Sequence, residues 1–477
     1  MVMPDNDVSD GFKETDIGPH PSPGGCAATP SPLPNLGEGR GPRGGERAFK
    51  DTEIGPIPVE WEVTTIGKLV QDKVLRLQNG FPCGNHNQEG RGIPHLRPFN
   101  VDDDGNISLD TIKYIETGHA LKRYLLTPGD VVFNNTNSEK LVGKTAYWDR
   151  PGRYVLSNHM TLIRVLNDDV IDSFYLAKYL HKRWYDSFYR GICRRHVNQA
   201  SISLARLKGV VIPLPPLPEQ RCIAHVLRTI QRAIAAQDDL IAAARELKRS
   251  LMQRLCTYGP GPEPAPTKET EFGRVPEHWQ IVPLKDCAFV QTGVAKGRKL
   301  GDSRTVTVPY LRVANVQDGY LDLSEIKHIR VRESEIERYG LQPGDVVLTE
   351  GGDFDKLGRG FIWRGQIPNC IHQNHIFAVR TNREILLPEY LAYIVQSDYG
   401  KSYFLTVAHR TTHLACINTT KLRAFPTLIP ELNEQEHIVS TLGVADRKIA
   451  AEEQRKAALQ ALFKTMLYQL MTGQVRV

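Results

Sequence analysis

The sequence predicts an α+β fold: two pseudo-symmetric globular domains separated by two long antiparallel helices that pair as a coiled coil. Three observations lead there. Short blocks of sequence recur in one order at a nearly constant offset. Each copy opens with a mixed, strand-rich stretch punctuated by turn residues. Each copy closes with roughly 40 residues whose apolar positions alternate steps of four and three, a stripe that another helix must cover.

The repeat organises the 477 residues. Thr52-Glu-Ile-Gly-Pro-Ile-Pro-Val-Glu-Trp61 returns as Thr270-Glu-Phe-Gly-Arg-Val-Pro-Glu-His-Trp279, an offset of 218. Ile93-Pro94-His95-Leu96-Arg97 returns as Val308-Pro309-Tyr310-Leu311-Arg312 at 215, and Pro128-Gly129-Asp130-Val131-Val132 as Pro343-Gly344-Asp345-Val346-Val347, again at 215. Ser157-Asn158-His159 matches Gln373-Asn374-His375 at 216, and Leu217-Pro218-Glu219-Gln220 matches Leu432-Asn433-Glu434-Gln435 at 215. A period this long is a domain duplication and not a solenoid.

Taken in order, residues 1–48 are rich in Pro, Gly and Ser and poor in large apolar side chains, so they are read as a disordered low-complexity insert. Phe12–Pro19 nearly repeats as Phe49–Pro56, and only the second copy leads into folded sequence. Arg40, Arg43 and Arg47 leave a phosphate-touching arm as the alternative. Residues 49–215 form the first domain. Pro-Gly-Asp-Val-Val reads as a turn feeding a strand, Ile163-Arg164-Val165 as another strand, and Tyr175–Phe188 as a short helix. Residues 216–259 form the first spacer helix, opened by a Pro-rich stop, with Glu219 and Gln220 in its first turn suiting the helix dipole. Residues 260–270 are a Pro/Gly linker that can run back along that helix. Residues 271–428 repeat the domain, with a strand at Phe377-Ala378-Val379 and a helix at Tyr390–Phe404. Residues 429–475 repeat the helix.

The seam of the first helix is Ile223, Leu227, Ile230, Ile234, Gln237, Ile241, Ala244, Lys248, Leu251 and Leu255. The second has Ile438, Leu442, Ala445, Ile449, Glu452, Lys456, Leu459, Phe463, Met466 and Leu470 in the same register. The two stripes most simply cover each other; the alternative is that each helix packs only on its own domain.

Composition narrows the function. Lys and Arg number 60 against 54 Asp and Glu, a net charge of +6, which tolerates a nucleic-acid partner without requiring one. No apolar run approaches the ~20 residues of a membrane helix, and the N-terminus has no signal-like apolar core. The eight cysteines form no CxxC pair, so they are read as reduced thiols of a cytoplasmic protein without a zinc site. Leu141-Val-Gly-Lys-Thr145 lacks the first glycine of a phosphate loop, where Ser138 stands. His409-Arg-Thr-Thr-His413 has metal-ligand spacing without the acid of a zinc protease. Asp353-Phe-Asp355-Lys356 has no paired acids at its counterpart, Asn137-Ser-Glu139-Lys140. No shared catalytic set spans the repeats, which favours a binding protein.

The loops after the Pro-Gly-Asp strands are the most polar parts of each unit. Asn134, Asn135, Thr136, Asn137, Ser138, Glu139 and Lys140 in the first, and Thr349, Glu350, Gly351, Gly352, Asp353 and Lys356 in the second, are the candidates to read bases. Asn pairs with adenine, Lys or Arg with guanine, and Asp or Glu with cytosine. Gly351 and Gly352 suit close backbone approach. Lys144, Arg194, Arg195, Arg359 and Arg410 are candidate phosphate anchors. The matching polar runs Arg194–Gln199 and His409–His413 add His196, His409 and Thr411. A solvated loop of turn-forming Asn and Gly remains the alternative for any one of these residues.

The runs Asn135–Ala146, Gly351–Gly360, His372-Gln-Asn-His375, Leu214–Gln220 and Leu470–Val477 together resemble the specificity subunits of type I restriction–modification systems, over residues 49–477. The resemblance implies two target recognition domains, each reading one half of a bipartite, asymmetric site in double-stranded DNA. It implies helices that dock two methyltransferase subunits, with ATP-driven restriction subunits joining that core. S-adenosylmethionine, ATP and Mg²⁺ are then expected on the partner subunits, with no cofactor, metal or catalysis on this chain. The competing readings are a nuclease or methyltransferase acting as one chain, and a scaffold with no DNA role.

Overall fold

The computed structural model describes residues 48–298, 300, 304–352, 357–410 and 415–477. The insert, Arg40, Arg43, Arg47, Asp353, Asp355, Lys356, Thr411 and His413 lie outside them. Residues 48–59 belong to a unit of their own. In it, Phe49–Lys50 pairs antiparallel with Ile57–Pro58, and the turn is closed by Thr52 Oγ1 donating to Gly55 O at 2.6 Å. Everything from Glu60 onward forms the other unit.

That larger unit is α+β and contains two similar domains built on matching sheets. In the first, a four-stranded antiparallel sheet runs in the order Leu75–Asn79, Met160–Val165, Val131–Asn134, Thr145–Tyr147. In the second, the order is Ala288–Thr292, Ile376–Thr381, Val346–Thr349, Gly360–Ile362. Beside each lies a three-stranded sheet centred on Ile93–Leu96 or Thr305–Leu311. The central strands are buried on both faces, which is why Val131-Val132-Phe133 and Val346-Val347-Leu348 read as continuous apolar runs.

The repeated Pro-Gly-Asp does more than turn the chain. Gly129 and Gly344 both sit at φ +100°, a conformation open to glycine. The next residue is a buried acid. Asp130 accepts from Thr127 N at 2.7 Å and takes Arg164 in a two-pronged pair at 2.6 Å on both oxygens. Asp345 does the same with Gln342 N at 2.8 Å and Arg380 at 2.8 and 2.9 Å. The arginine of Ile-Arg-Val and its counterpart is thus the cross-strand partner of the turn, and each domain's central strand is fastened at its start.

The short helices differ from their expected spans. Where one helix over Tyr175–Phe188 is predicted, Ser173–Tyr185 ends and Phe188–Ile192 begins after Ser187 at φ +59°. Tyr390–Phe404 is likewise two helices, Pro388–Gln396 and Asp398–Val407. Ser397 ends the first and caps the second, accepting from Gly400 N at 3.3 Å. A serine side chain competing for backbone donors breaks a run that apolar periodicity alone would continue.

The long helices are Leu217–Tyr258, 42 residues, and Leu432–Met471, 40 residues. Gln220 and Gln435, expected to suit the helix dipole, are buried clamps. Gln220 accepts from Asp172 N and donates to Val170 O and Pro215 O. Gln435 accepts from Leu387 N and donates to Ile385 O and Pro430 O. Each locks a helix start to its own domain.

The helices also pack on each other. Asp238 pairs with Lys456, Arg245 with Glu453 and Lys248 with Asp446, each at 2.6 Å, so rising numbers on one helix meet falling numbers on the other; Gln237 also donates to Glu452. Along the seam, Ile223, Leu227, Ile241, Leu255, Ile438, Leu442, Phe463 and Leu470 are buried, while Ile230, Ile234, Leu251, Ile449, Leu459 and Met466 are half-buried. Much of the burial comes from the domains. Leu255 and Cys256, at the end of the first helix, join the second domain's core with Trp279, Tyr390 and Ile438. The second helix ends on the first domain, with the Phe463 ring 5.6 Å from Lys178 Nζ, the Tyr468 ring 4.7 Å from Lys182 Nζ, and Arg476 paired with Glu219 and Glu60. Each helix therefore packs against its counterpart and also docks, at its far end, on the opposite domain, a contact that excludes packing on its own domain alone.

The two joints are chemically inverted. At the first, the cation Lys178 is on the domain and the ring of Phe463 on the helix. At the second, Tyr393 is on the domain and Lys248 on the helix, 5.4 Å apart. Burial pushes the Lys178 ammonium down to about 8 while Asp102, Asp104 and Asp149 pull it up. The 102–106 turn that supplies two of those carboxylates also touches both helices, through Gln231 to Asn106 at 2.7 Å and Gln460 to Asp104 at 2.9 Å.

Candidate nucleic-acid interface

Two polar runs far apart in sequence are brought together in the first domain. Thr136–Asn137 pairs antiparallel with Ala200–Ser201, which pairs with Arg194–Arg195. The hairpin tip between them, residues 196–199, is exposed. The second domain builds the same small sheet from Gly351–Gly352, Ala415–Cys416 and His409–Arg410. The polar loop and the polar run of each unit are thus one surface, presented twice.

Within that surface, the switch of the chain from one sheet to the other sorts the residues. Asn134 is fully buried and donates to Leu141 O at 3.2 Å. Asn135 is buried, donates to Asn158 O and Thr161 Oγ1, and accepts from Thr136 Oγ1 at 2.7 Å. Lys144 is buried, paired with Asp103 and set over the Trp184 ring at 5.3 Å. These three, expected to meet DNA, are instead committed to the domain's own frame. The reason is long-range: Asn135 faces the four-stranded sheet, and the Lys144 amine is drawn to the acidic 102–104 turn. Outside lie Asn137, half-buried with its Oδ1 accepting from Ser138 N, and exposed Ser138, Lys140, Arg194 and His196. Glu139 pairs with the exposed Arg195 at 2.9 Å.

In the second domain Thr349 is buried, its amide donating to Arg359 O. Glu350 accepts from His375 Nδ1 at 2.6 Å, and its own carbonyl takes Ile417 N. A Cβ on Gly351 would lie 2.7 Å from Ala415 O, so this glycine admits a neighbouring strand of the same chain. The approach expected toward DNA is an approach toward protein. His409 is exposed.

Sequence reasoning passed over several residues of the same face. An open cleft in the first domain is lined by Thr136, Asn137 and Ser138, by Asn198 and Gln199 of the hairpin tip, by Asn158 and His159, and by His86, Arg97 and Phe99. Their sequence signal is the repeat itself: Ser157-Asn158-His159 and Arg97 both lie in the recurring blocks.

Histidines inside this architecture are held neutral. His95 donates from Nε2 to Phe81 O and accepts at Nδ1 from His86 Nε2 at 2.9 Å. Desolvation, with the neighbouring His86, pushes it down to about 4. His181 accepts from Thr145 N and donates to Asp103 O, and burial pushes it to about 3. Burial pushes His372 to about 4. Unfolded histidine binds a proton near 6.5. Between 6.5 and the folded values the unfolded chain therefore holds more protons, and stability falls as pH falls through that window. Each unit of depression is worth about 1.4 kcal/mol. Urea midpoints are expected to decline progressively from pH 6.5 to 4; a flat profile across that range contradicts the neutral, buried assignment.

Among the described residues no group of three or more His, Cys, Asp or Glu is placed to hold a metal ion, and no helix is long and apolar enough to cross a membrane. The seven described cysteines are free.

Comparison with known proteins agrees in both halves of the chain. The profile of the type I restriction modification DNA specificity domain matches residues 58–244 and again 276–461. Two chains of Methanocaldococcus jannaschii are 26% and 24% identical, each over 91% of this chain and 97% of its own length. They are named as specificity subunits of the type I restriction enzymes MjaX, provisionally, and MjaVIII. The specificity subunit of the Escherichia coli K12 enzyme EcoKI is 22% identical over 81% of this chain and 82% of its own. A solved chain, from work on complex assembly and conformational transition of the type I R-M system, shares the fold. It has a TM-score of 0.51 at 18% identity and covers 88% of this chain and 99% of its own.

Proposed function

This chain belongs to the type I restriction modification DNA specificity family, and from that premise we propose that its two domains read the two halves of one bipartite, asymmetric DNA site. At the family level it is a sequence-specific DNA-binding subunit and supplies no catalysis. The finer reading assigns one half-site to each small three-stranded sheet and the gap between half-sites to the helix pair. Two methyltransferase subunits dock on the helices, restriction subunits join them, and S-adenosylmethionine, ATP and Mg²⁺ stay with those partners.

The observation that carries this reading is the double presentation of one reading sheet, with different side chains on each copy. The helix pair supports it. Gln237 and Glu452 are counterparts in the repeat, and they touch each other. A residue that meets its own counterpart lies where a twofold axis passes. Read as an antiparallel coiled coil about that axis, the pair offers the two domains to opposite strands of one duplex. Since the faces differ, the half-sites differ.

The test is selection of bound duplexes from a pool with a randomised centre, with methylome sequencing of cells carrying the chain and its methyltransferase partner. A split motif of two unlike halves at fixed spacing is expected; enrichment of a single continuous motif, or of none, overturns the reading. Within it, the roles of the asparagines separate. Asn137→Ala and Asn198→Ala are expected to relax preference at one half-site only, at about 1–3 kcal/mol per lost base pairing. Asn135→Ala, acting through the frame, is expected to lower the melting temperature instead.

A further inference from the structure

Resting on the reading just given, we propose that Phe99 is a specificity-determining residue of the first domain, an aromatic contact to the apolar face of a base in the half-site that domain reads. Phe99 is 70% exposed, the second most exposed large apolar side chain among the described residues after Val197 at the hairpin tip. It is carried by a one-turn helix, Pro98–Asn100, whose flanks are fixed. Pro98 is buried. Asn100 is fully buried, its Oδ1 accepting from Arg97 N at 2.9 Å and its Nδ2 donating to Ser108 O at 2.9 Å. A ring held out by a rigid turn loses little freedom on binding, which is what a contact residue needs.

The repeat supplies the second, independent observation. The same turn recurs at Val313–Asn315, with Arg312 N donating to Asn315 Oδ1 at 2.9 Å and Asn315 Nδ2 donating to Asp322 O at 2.9 Å. The scaffold residues Arg and Asn are kept in both copies, while the outward residue is Phe99 in one and Ala314, also exposed, in the other. A position whose support is constant and whose displayed side chain varies is the position that distinguishes two readers.

Location completes the case. Phe99 stands at the rim of the cleft lined by Asn137, Asn158, Asn198 and Arg97, with the Arg97 guanidinium 5.7 Å from its ring. Phe99 also lines a second hollow, walled by Asp102, Asp103, Asp104 and Lys144; the lysine is paired with Asp103, which leaves the hollow acidic. Phosphates are repelled from the acidic flank and drawn to the arginine flank, so a duplex approaches with the ring between backbone and bases. The apolar base face it meets is either a thymine methyl or the ring face of an unstacked base, and the test separates them.

The full chain is used to select duplexes from the randomised pool, and wild type, Phe99→Ala, Phe99→Trp and Ala314→Phe are compared on the selected sequence. Phe99→Ala is expected to lose about 5- to 100-fold in affinity and preference at one or two positions of one half-site, with the other half-site and the gap unchanged. Phe99→Trp is expected to restore affinity, and Ala314→Phe to alter preference in the opposite half-site alone. Deoxyuridine for thymidine at the affected position lowers wild-type affinity if the contact is a methyl group. A 2-aminopurine there brightens on wild-type binding, and not with Phe99→Ala, if the base is unstacked. Phe99→Ala selecting the wild-type motif at wild-type affinity overturns this inference and leaves the two-reader function standing. Wild type selecting no split motif overturns both.

Discussion

Asp130→Ala is expected to destabilise the first domain by about 3 kcal/mol, the cost of leaving a buried partner uncompensated. The carboxylate accepts from Thr127 N and holds Arg164 on both oxygens, and its removal strands a guanidinium that is itself mostly covered. Arg164 also donates to Leu125 O, so the loss spreads from the turn to the sheet edge. Urea unfolding followed by tryptophan fluorescence measures it, since Trp148 is buried in the neighbouring cluster. The functional consequence is one-sided. The strand that Asp130 anchors leads into Thr136–Asn137, so on the proposed two-reader function preference is expected to weaken at one half-site, and with Asp345→Ala at the other. A variant that unfolds at the wild-type midpoint contradicts the role given to the repeated Pro-Gly-Asp.

Seven residues inserted at facing positions of both long helices are expected to widen the gap between half-sites by about three base pairs. Each helix lengthens by about 10.5 Å, against about 3.4 Å per base-pair step. A heptad rotates the seam by only ~20°, so pairs such as Lys456 with Asp238 can re-form in register. Both half-sites are expected to survive in the selected motif with only their spacing changed. A motif with its original gap removes the ruler role from the helices and leaves the domains as its only readers.

Much of this was legible beforehand because duplication makes a sequence compare itself. Pro-Gly-Asp-Val-Val marked the turn and strand at both offsets, and the apolar stripes marked both long helices to within a few residues. What the pattern missed has physical reasons. Ser187 and Ser397 end helices by local backbone geometry and capping, against the apolar period. Gln220 and Gln435 look like helix-start residues in any helix, and only the fold shows three backbone partners for each.

The sequence by itself determined that there are two similar units, where the anchored strand and the long helix of each lie, and that polar loops follow the anchored strands. These follow from periodicity and turn chemistry, which act over a few residues. Only the tertiary structure decided which polar side chains face out, because Asn135 and Asn137 differ by two positions at the point where a strand leaves one sheet for another. It also decided that each long helix ends on the opposite domain. Both depend on partners between tens and hundreds of residues away, such as Thr161 for Asn135 and Phe463 for Lys178, and no local pattern encodes where those partners come to rest.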